Sequence, residues 1–158
     1  MKSVKIALVA AMALLLTFTA VNNMLMPKAA FGAISMALGM QSTFMNPLAM
    51  WRAITDPLLL WTVYGIIVLA EAVAAVLCWL GAVRLWNARG SGQSFNLAKS
   101  TALLGLGITA NFYLLGWLVF ANEWFGMWQS QKMNVLPDAF RLFAEAMLIM
   151  LWVNTPDE

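Results

Sequence analysis

The stretch from Trp51 to Trp79 constrains the chain most. It opens with the polar block Trp51-Arg52-Ala53-Ile54-Thr55-Asp56-Pro57, then runs almost unbroken in apolar residues and carries one acid, Glu71. A run of more than about 20 apolar residues crosses the hydrocarbon core as a helix, which satisfies its own backbone polar groups. Asp56 offers an N-cap oxygen, and Pro57 suits the first helical position, where its missing N–H is of no consequence. Composition agrees with a membrane setting. A chain of 158 residues that is 63% hydrophobic and 10% charged has too little interior to hide its apolar surface from water.

The expected fold class is therefore all-α: one polytopic membrane domain over 1–158, with four transmembrane helices at about 5–26, 57–83, 100–121 and 137–153 and an amphipathic outer connection. Lys2 and Lys5 precede the first apolar run, which is long for a signal peptide and reads as a retained helix ending near Pro27-Lys28. Between Ala29 and Met50, Phe31, Ile34, Leu38 and Met45 offer the apolar face of a short surface helix, interrupted by Gly32, Gly39, Ser42 and Asn46-Pro47. This segment is either a cap on the membrane or a lid over an intramembrane site. Glu71 stands roughly 20 Å from the Pro57 end, which places it toward the opposite side of the bilayer and requires it to face protein or water.

The third run contains Gly105, Gly107 and Gly116, which permit close packing, and Asn111, expected to hydrogen-bond between helices. Asn122-Glu123-Trp124-Phe125-Gly126-Met127-Trp128-Gln129-Ser130-Gln131 reads as an interfacial loop, because its rings are apolar on their faces and polar at one edge. In the fourth helix Arg141 and Glu145 are four residues apart and share a face. An ion pair between them, or protonation of Glu145, would lower the cost of an acid in the membrane.

Lys2, Lys5, Arg84, Arg89 and Lys99 fall on one side of this topology, with Lys28, Arg52, Lys132 and Arg141 on the other. Short flanking segments rich in lysine and arginine stay inside, so both termini are expected in the cytoplasm of a bacterial inner membrane. Arg52, Glu123, Trp124, Trp128 and Arg141 would then gather at the outer helix ends, with Glu145 roughly 10–12 Å deeper. Such a group could hold a lipid headgroup, a quinone head or a partner subunit, or it could be a polar network that closes the bundle.

Several chemistries lack their residues. The chain has no histidine and one cysteine, Cys78, set between Leu77 and Trp79 as a buried thiol, so haem, zinc and copper ligation find no usual ligand set. The twelve methionines are scattered and read as packing. No phosphate-binding glycine loop, nucleophile–base–acid set or basic cluster for nucleic acid is present, and no catalytic, metal or cofactor residues are assigned. Glu71 and Glu145 are the two acids at membrane depth, and a proton path through both would need water or other polar groups between them.

Trp51-Arg52-Ala53-Ile54-Thr55, Glu71, Glu123-Trp124-Phe125, Met127-Trp128-Gln129-Ser130 and Ala139-Phe140-Arg141 resemble the recurring blocks of the small predicted bacterial integral membrane proteins grouped as domain of unknown function 2165. The resemblance covers most of the chain and implies a four-helix inner-membrane protein. That family has no established reaction to supply catalytic roles, and its aromatic segment continues through Trp-Asn-Gly where this chain has Lys132-Met133-Asn134-Val135. The expected function is a noncatalytic accessory or structural subunit of a larger membrane assembly, with no cofactor. The alternative is a lipid, quinone or hydrophobic-solute binding protein, with a role in transport.

Overall fold

The computed structural model describes residues 1–158, which form helices and no strand. The elements are α1 (Lys2–Leu25), α2 (Pro27–Leu38), α3 (Pro57–Asn87), α4 (Gly92–Asn111), a π-wound continuation of α4 (Phe112–Trp124) and α5 (Leu136–Asn154). Three helices are long and apolar enough to cross a membrane: Lys2–Leu25, Pro57–Asn87 and Gly92–Trp124. The expected fourth, α5, is not one of them. Its nineteen residues carry Asp138, Arg141 and Glu145, and that charge offsets an otherwise apolar face.

The helix ends follow local chemistry. The Leu59 N–H donates to Asp56 Oδ1 at 2.9 Å, capping α3 as its sequence predicts. Ser91 accepts from the Ser94 N–H at 3.4 Å and starts α4 at Gly92, eight residues earlier than apolarity alone indicates. A polar but helix-competent turn extends the helix beyond its apolar run. At the other end the helix continues through Asn122-Glu123-Trp124, part of the expected loop, because no breaker intervenes before Gly126. Gly126 turns the chain at φ 68°, in the left-handed region that glycine adopts without a Cβ clash. The Phe125 N–H donates to the Phe120 carbonyl at 2.9 Å, the i→i+5 bond of π winding.

α3 and α4 form an antiparallel hairpin at the centre of the bundle, with α1 packed on α3 and α5 on α4. A Cβ added at Gly81 would lie 2.6 Å from Ala102 Cα, and one at Gly105 would lie 2.9 Å from the Cys78 nitrogen. The two contacts step down one helix and up the other, so bare backbone meets backbone over two successive turns. Around this seam Val9, Met12 and Leu16 of α1, Leu85 of α3, Leu106 of α4 and Ala146 of α5 are fully buried. The Trp79 indole N–H donates to Thr17 Oγ1 at 3.1 Å and fixes α1 against α3. Both termini lie at one end of the bundle, which we call the tail end; the opposite end is the cap end.

At the cap end α2 departs from α1 after Met26 and leans on α3, with Phe31 stacked on Trp61 at 4.2 Å between ring centroids. Ile34 and Ala37 are its buried residues. Ser42 Oγ meets Ser130 Oγ at 2.5 Å, and the Phe44 N–H donates to Gln129 Oε1 at 3.0 Å, so the long connection and the aromatic turn are clamped together. The Ile54 N–H donates to the Leu38 carbonyl at 2.9 Å and ties the strap before α3 to the end of α2.

The glycine seam makes a direct prediction. Gly81→Leu drives side-chain atoms into the Ala102 backbone and is expected to destabilise the fold by at least the roughly 1–3 kcal/mol of an overpacked core. Gly65→Leu, at a position with nothing within 4 Å of its Cβ site, is expected to be near neutral. Thermal unfolding of both variants in one detergent reads the difference; equal melting temperatures would remove the seam from the account of stability.

Candidate functional site

The five residues expected to gather at the cap end do so only in part. Arg52 and Trp124 meet: the guanidinium lies 4.4 Å from the Trp124 ring centroid, and its Nη1 donates to the Trp124 carbonyl at 3.4 Å. Trp51 completes this corner, edge-on to Trp124 at 5.9 Å. Glu123 turns away and accepts from the Asn122 side-chain amide at 2.7 Å. Trp128 stands apart against Phe44 at 5.9 Å. Arg141 belongs to a different face of the bundle, because α5 is held to α4 and presents that residue outward, 62% exposed. It lies 3.5 Å from Asp138 and 3.9 Å from Glu145, so the predicted i,i+4 pair is the looser of two contacts. Arg141 and Glu145 line an apolar groove between α5 and α1 with Leu8, Met12 and Leu15.

Glu71 is buried, as the cost of an acid in lipid demands, and meets α1 near that helix's C-terminal end. Asn23 Nδ2 donates to Glu71 Oε2 at 2.7 Å, and Asn23 sits near the last turn of α1 at the cap end. Two facts bring Glu71 level with the end of α1. α3 has 31 residues and spans about 45 Å, so its first turns stand beyond the end of α1. A helical side chain also leans toward the helix N-terminus, which here is the cap end. The Tyr64 hydroxyl donates to the Asn23 carbonyl at 2.9 Å and holds that residue in place.

Glu71 lines a cavity of about 230 Å³ between α1, α2, α3, the π segment, α5 and the loop before α5. Tyr64, Tyr113 and Trp117 line it too, and Asp138 stands at its α5 side. Tyr113 was not anticipated: it is 4% exposed, and its hydroxyl makes no hydrogen bond within the chain. Beside this chamber lies a second, larger cleft of about 540 Å³, almost wholly apolar, which shares Ile34, Ile67 and Trp117 as a wall. Phe112, Leu115, Gly116 and Phe120 of the π segment form one side of it and Ile66 of α3 the other. Ile66, Leu115 and Phe120 are exposed, so its mouth opens on the flank of the bundle. Asn111 lines this cleft and bonds the Gly107 carbonyl of its own helix at 2.9 Å, not a neighbouring helix as expected.

A polar cluster at the tail end also escaped sequence reasoning. Lys5 Nζ donates to Asp157 Oδ2 at 2.5 Å and to the Thr155 carbonyl at 2.7 Å. Lys99 Nζ reaches the same Asp157 oxygen at 2.7 Å and the same carbonyl at 2.6 Å. Asn96 Nδ2 donates to the Asp157 carbonyl at 2.9 Å, and the tail crosses the bare Cα of Gly92, where a Cβ would touch the Glu158 backbone. The three charged side chains are 5% exposed or less. Two ammonium groups share one carboxylate, and the carbonyl just past the end of α5 adds the negative pole of a helix terminus. Burial works against the charged carboxyl of Asp157, but the hydrogen bonds and charges of Lys5 and Lys99 outweigh it and hold the group below its ordinary value. Lys5 at the edge of the first apolar run was the available signal; its partner lies 152 positions away.

The chain matches the family described as predicted small integral membrane protein (DUF2165) over residues 1–156. It belongs to that family. No curated protein and no solved structure matches it. For this DUF2165 protein the match covers the aromatic corner, the Glu71 chamber, the apolar cleft and the two lysines of the tail cluster, and ends one residue before Asp157.

The tail cluster is expected to be pH-dependent. Because the folded state lowers the Asp157 pKa, the unfolded chain takes up the proton first as pH falls. The contribution is therefore complete above the ordinary value of 3.8 and is lost as pH falls through the folded-state value. Asp157→Ala leaves two lysines buried without their anion and should cost roughly 3 kcal/mol at neutral pH. Glu158→Ala, at an exposed position, should cost nothing measurable. Thermal unfolding of both variants at neutral pH and of the parent at acid pH checks each statement.

Proposed function

We propose that this protein is a noncatalytic four-span protein of the bacterial inner membrane that holds a lipid-like hydrophobic molecule in the apolar cleft between α3 and the π segment. The observation that carries the reading is the cleft itself: about 540 Å³, lined by apolar side chains and opening on the flank where acyl chains lie. The cap-end rim supports a headgroup. Arg52 is fixed beside it by Trp124, next in sequence to the lining residue Phe125, and its buried Nε has no partner within the chain. An anionic or carbonyl-bearing head, of a phospholipid or a quinone, suits a guanidinium with a free donor.

α5 acts as the fourth span in this reading. Its nineteen residues cover about 28 Å, close to the hydrocarbon thickness, and its charges fall toward the cap end, where Asp138 and Arg141 reach the interface. The termini face the cytoplasm, supported by the gathering of Lys2, Lys5 and Arg89 around one polar depression at the tail end.

Filling the cleft tests the binding reading. Gly116 has room, with only Phe112 Cε2 at 3.9 Å from its Cβ site. Gly116→Leu is expected to leave the folded yield intact and to deplete whatever lipid or quinone co-purifies with the parent, read by mass spectrometry of extracted small molecules. Arg52→Ala should release an anionic lipid while leaving a wholly apolar occupant in place. An unchanged extract from Gly116→Leu would overturn the reading.

Accessory-subunit function rests on a different observation. Phe44, Leu48 and Trp51 are each at least 70% exposed and make an apolar ledge at the cap end, tied at the Phe44 N–H to Gln129. A partner subunit would cover that ledge. Purification from the native membrane in mild detergent is expected to recover a partner at fixed stoichiometry, lost in Leu48→Glu; recovery of the chain alone would leave the ledge to the membrane interface.

A further inference from the structure

We propose that the inner chamber around Glu71 is a binding site for a small organic cation, a protonated amine or a quaternary ammonium, separate from the lipid-like occupant of the outer cleft. Four observations converge on that class of ligand. Glu71 is 4% exposed and receives one hydrogen bond, from Asn23 to Oε2, so Oε1 has no protein donor. No lysine or arginine lines the chamber, and the second carboxylate on its wall is that of Asp138, which Arg141 pairs from outside the chamber at 3.5 Å. Tyr113, 4% exposed, brings a hydroxyl without any partner in the chain to the same wall. Tyr64 and Trp117 add two more aromatic rings.

Charge excludes the opposite ligand. An anion would meet the Glu71 carboxyl with no lysine or arginine on the wall to receive it, since the guanidinium nearest the chamber, that of Arg141, is paired with Asp138. A bare metal ion is poorly served as well. Calcium and magnesium take six or more oxygens, and no group of three acidic, cysteine or histidine side chains is assembled in this chain. Aromatic faces with one buried carboxylate are instead the surroundings that favour alkylammonium groups, whose charge is spread over apolar surface. The carboxylate supplies the counter-charge, the rings replace hydration, and the Tyr113 hydroxyl can accept an ammonium N–H or donate to Glu71.

The scaffold holds this arrangement rather than leaving it to chance. The Tyr64 hydroxyl binds the Asn23 carbonyl, Asn23 binds Glu71, and Phe31 of α2 stacks on Trp61 one turn from Tyr64. α2 thereby roofs the chamber through Ala30, Ala33 and Ile34. A volume of about 230 Å³ admits a tetramethylammonium- or tetraethylammonium-sized head and little more. The Ile34, Ile67 and Trp117 wall separates that head from the outer cleft.

Tetraethylammonium and tetramethylammonium are the probes. Equilibrium dialysis of radiolabelled cation against the full-length protein in a maltoside detergent, free of choline lipids, is expected to show one saturable site. Glu71→Gln should weaken binding about tenfold or more, because the amide cannot supply a counter-charge. Glu145→Gln, in the groove between α5 and α1, should bind as the parent does. Ala33→Phe fills the chamber from its α2 roof while leaving Glu71 and its Asn23 bond in place. It should abolish binding even where Glu71→Gln folds poorly. Absence of saturable binding for both cations, or binding that survives both Glu71→Gln and Ala33→Phe, overturns the proposal. Gly116→Leu separates the two sites: it should empty the outer cleft and leave cation binding intact, so either reading can fail without the other.

Discussion

Backbone contact between α3 and α4 is the constraint on which this bundle depends. Lipid tails are as apolar as leucine, so helices in a bilayer gain little from burying apolar side chains against one another. They gain from close packing, and close packing needs small residues in register. Gly81 against Ala102 and Gly105 against Cys78 provide that over two turns. α1 then packs on the outer side of α3 and α5 on the outer side of α4, and the short loop between α3 and α4 keeps the pair antiparallel.

A second constraint acts at each end. Charged and polar side chains inside the bilayer must find partners within the protein, and this chain resolves that differently at its two poles. At the tail end Lys5, Lys99 and Asp157 form a satisfied cluster that joins the first turns of α1 and α4 to the last residues of the chain. At the cap end satisfaction is incomplete. Arg52 Nε and Asn122 Oδ1 are buried without partners, and the Tyr113 hydroxyl has none. A structural network closed in itself would resemble the tail end. The open valences of the cap end fit a region that takes a ligand.

The π winding of Phe112–Trp124 links the seam to the cavities. An i→i+5 helix is wider than an α-helix and turns its residues more slowly around the axis, so the segment does not continue the α4 stripe that faces α3. Beyond Asn111 the chain parts from α3, and the outer cleft occupies the space. Glycine contributes on the same side, since Gly116 places no side chain where the cleft runs.

Much of the architecture was legible in the residues. The apolar runs, the Asp56 cap, the surface helix after Pro27 and the requirement that Glu71 face protein all follow from local chemistry and the cost of polarity in lipid. Arg52 and Trp124, expected at one end, are in contact there. Sequence by itself could not decide which polar groups meet. α3 is apolar on every side, so its periodicity does not say which face turns inward, and only the glycine register against α4 settles it. That register carries Glu71 to Asn23, 48 positions away, brings Tyr113 to the same chamber and turns Arg141 out of it. Helix identity is local, because each span satisfies its own backbone; the site is tertiary, because its members come from different spans whose depth and rotation are set by packing.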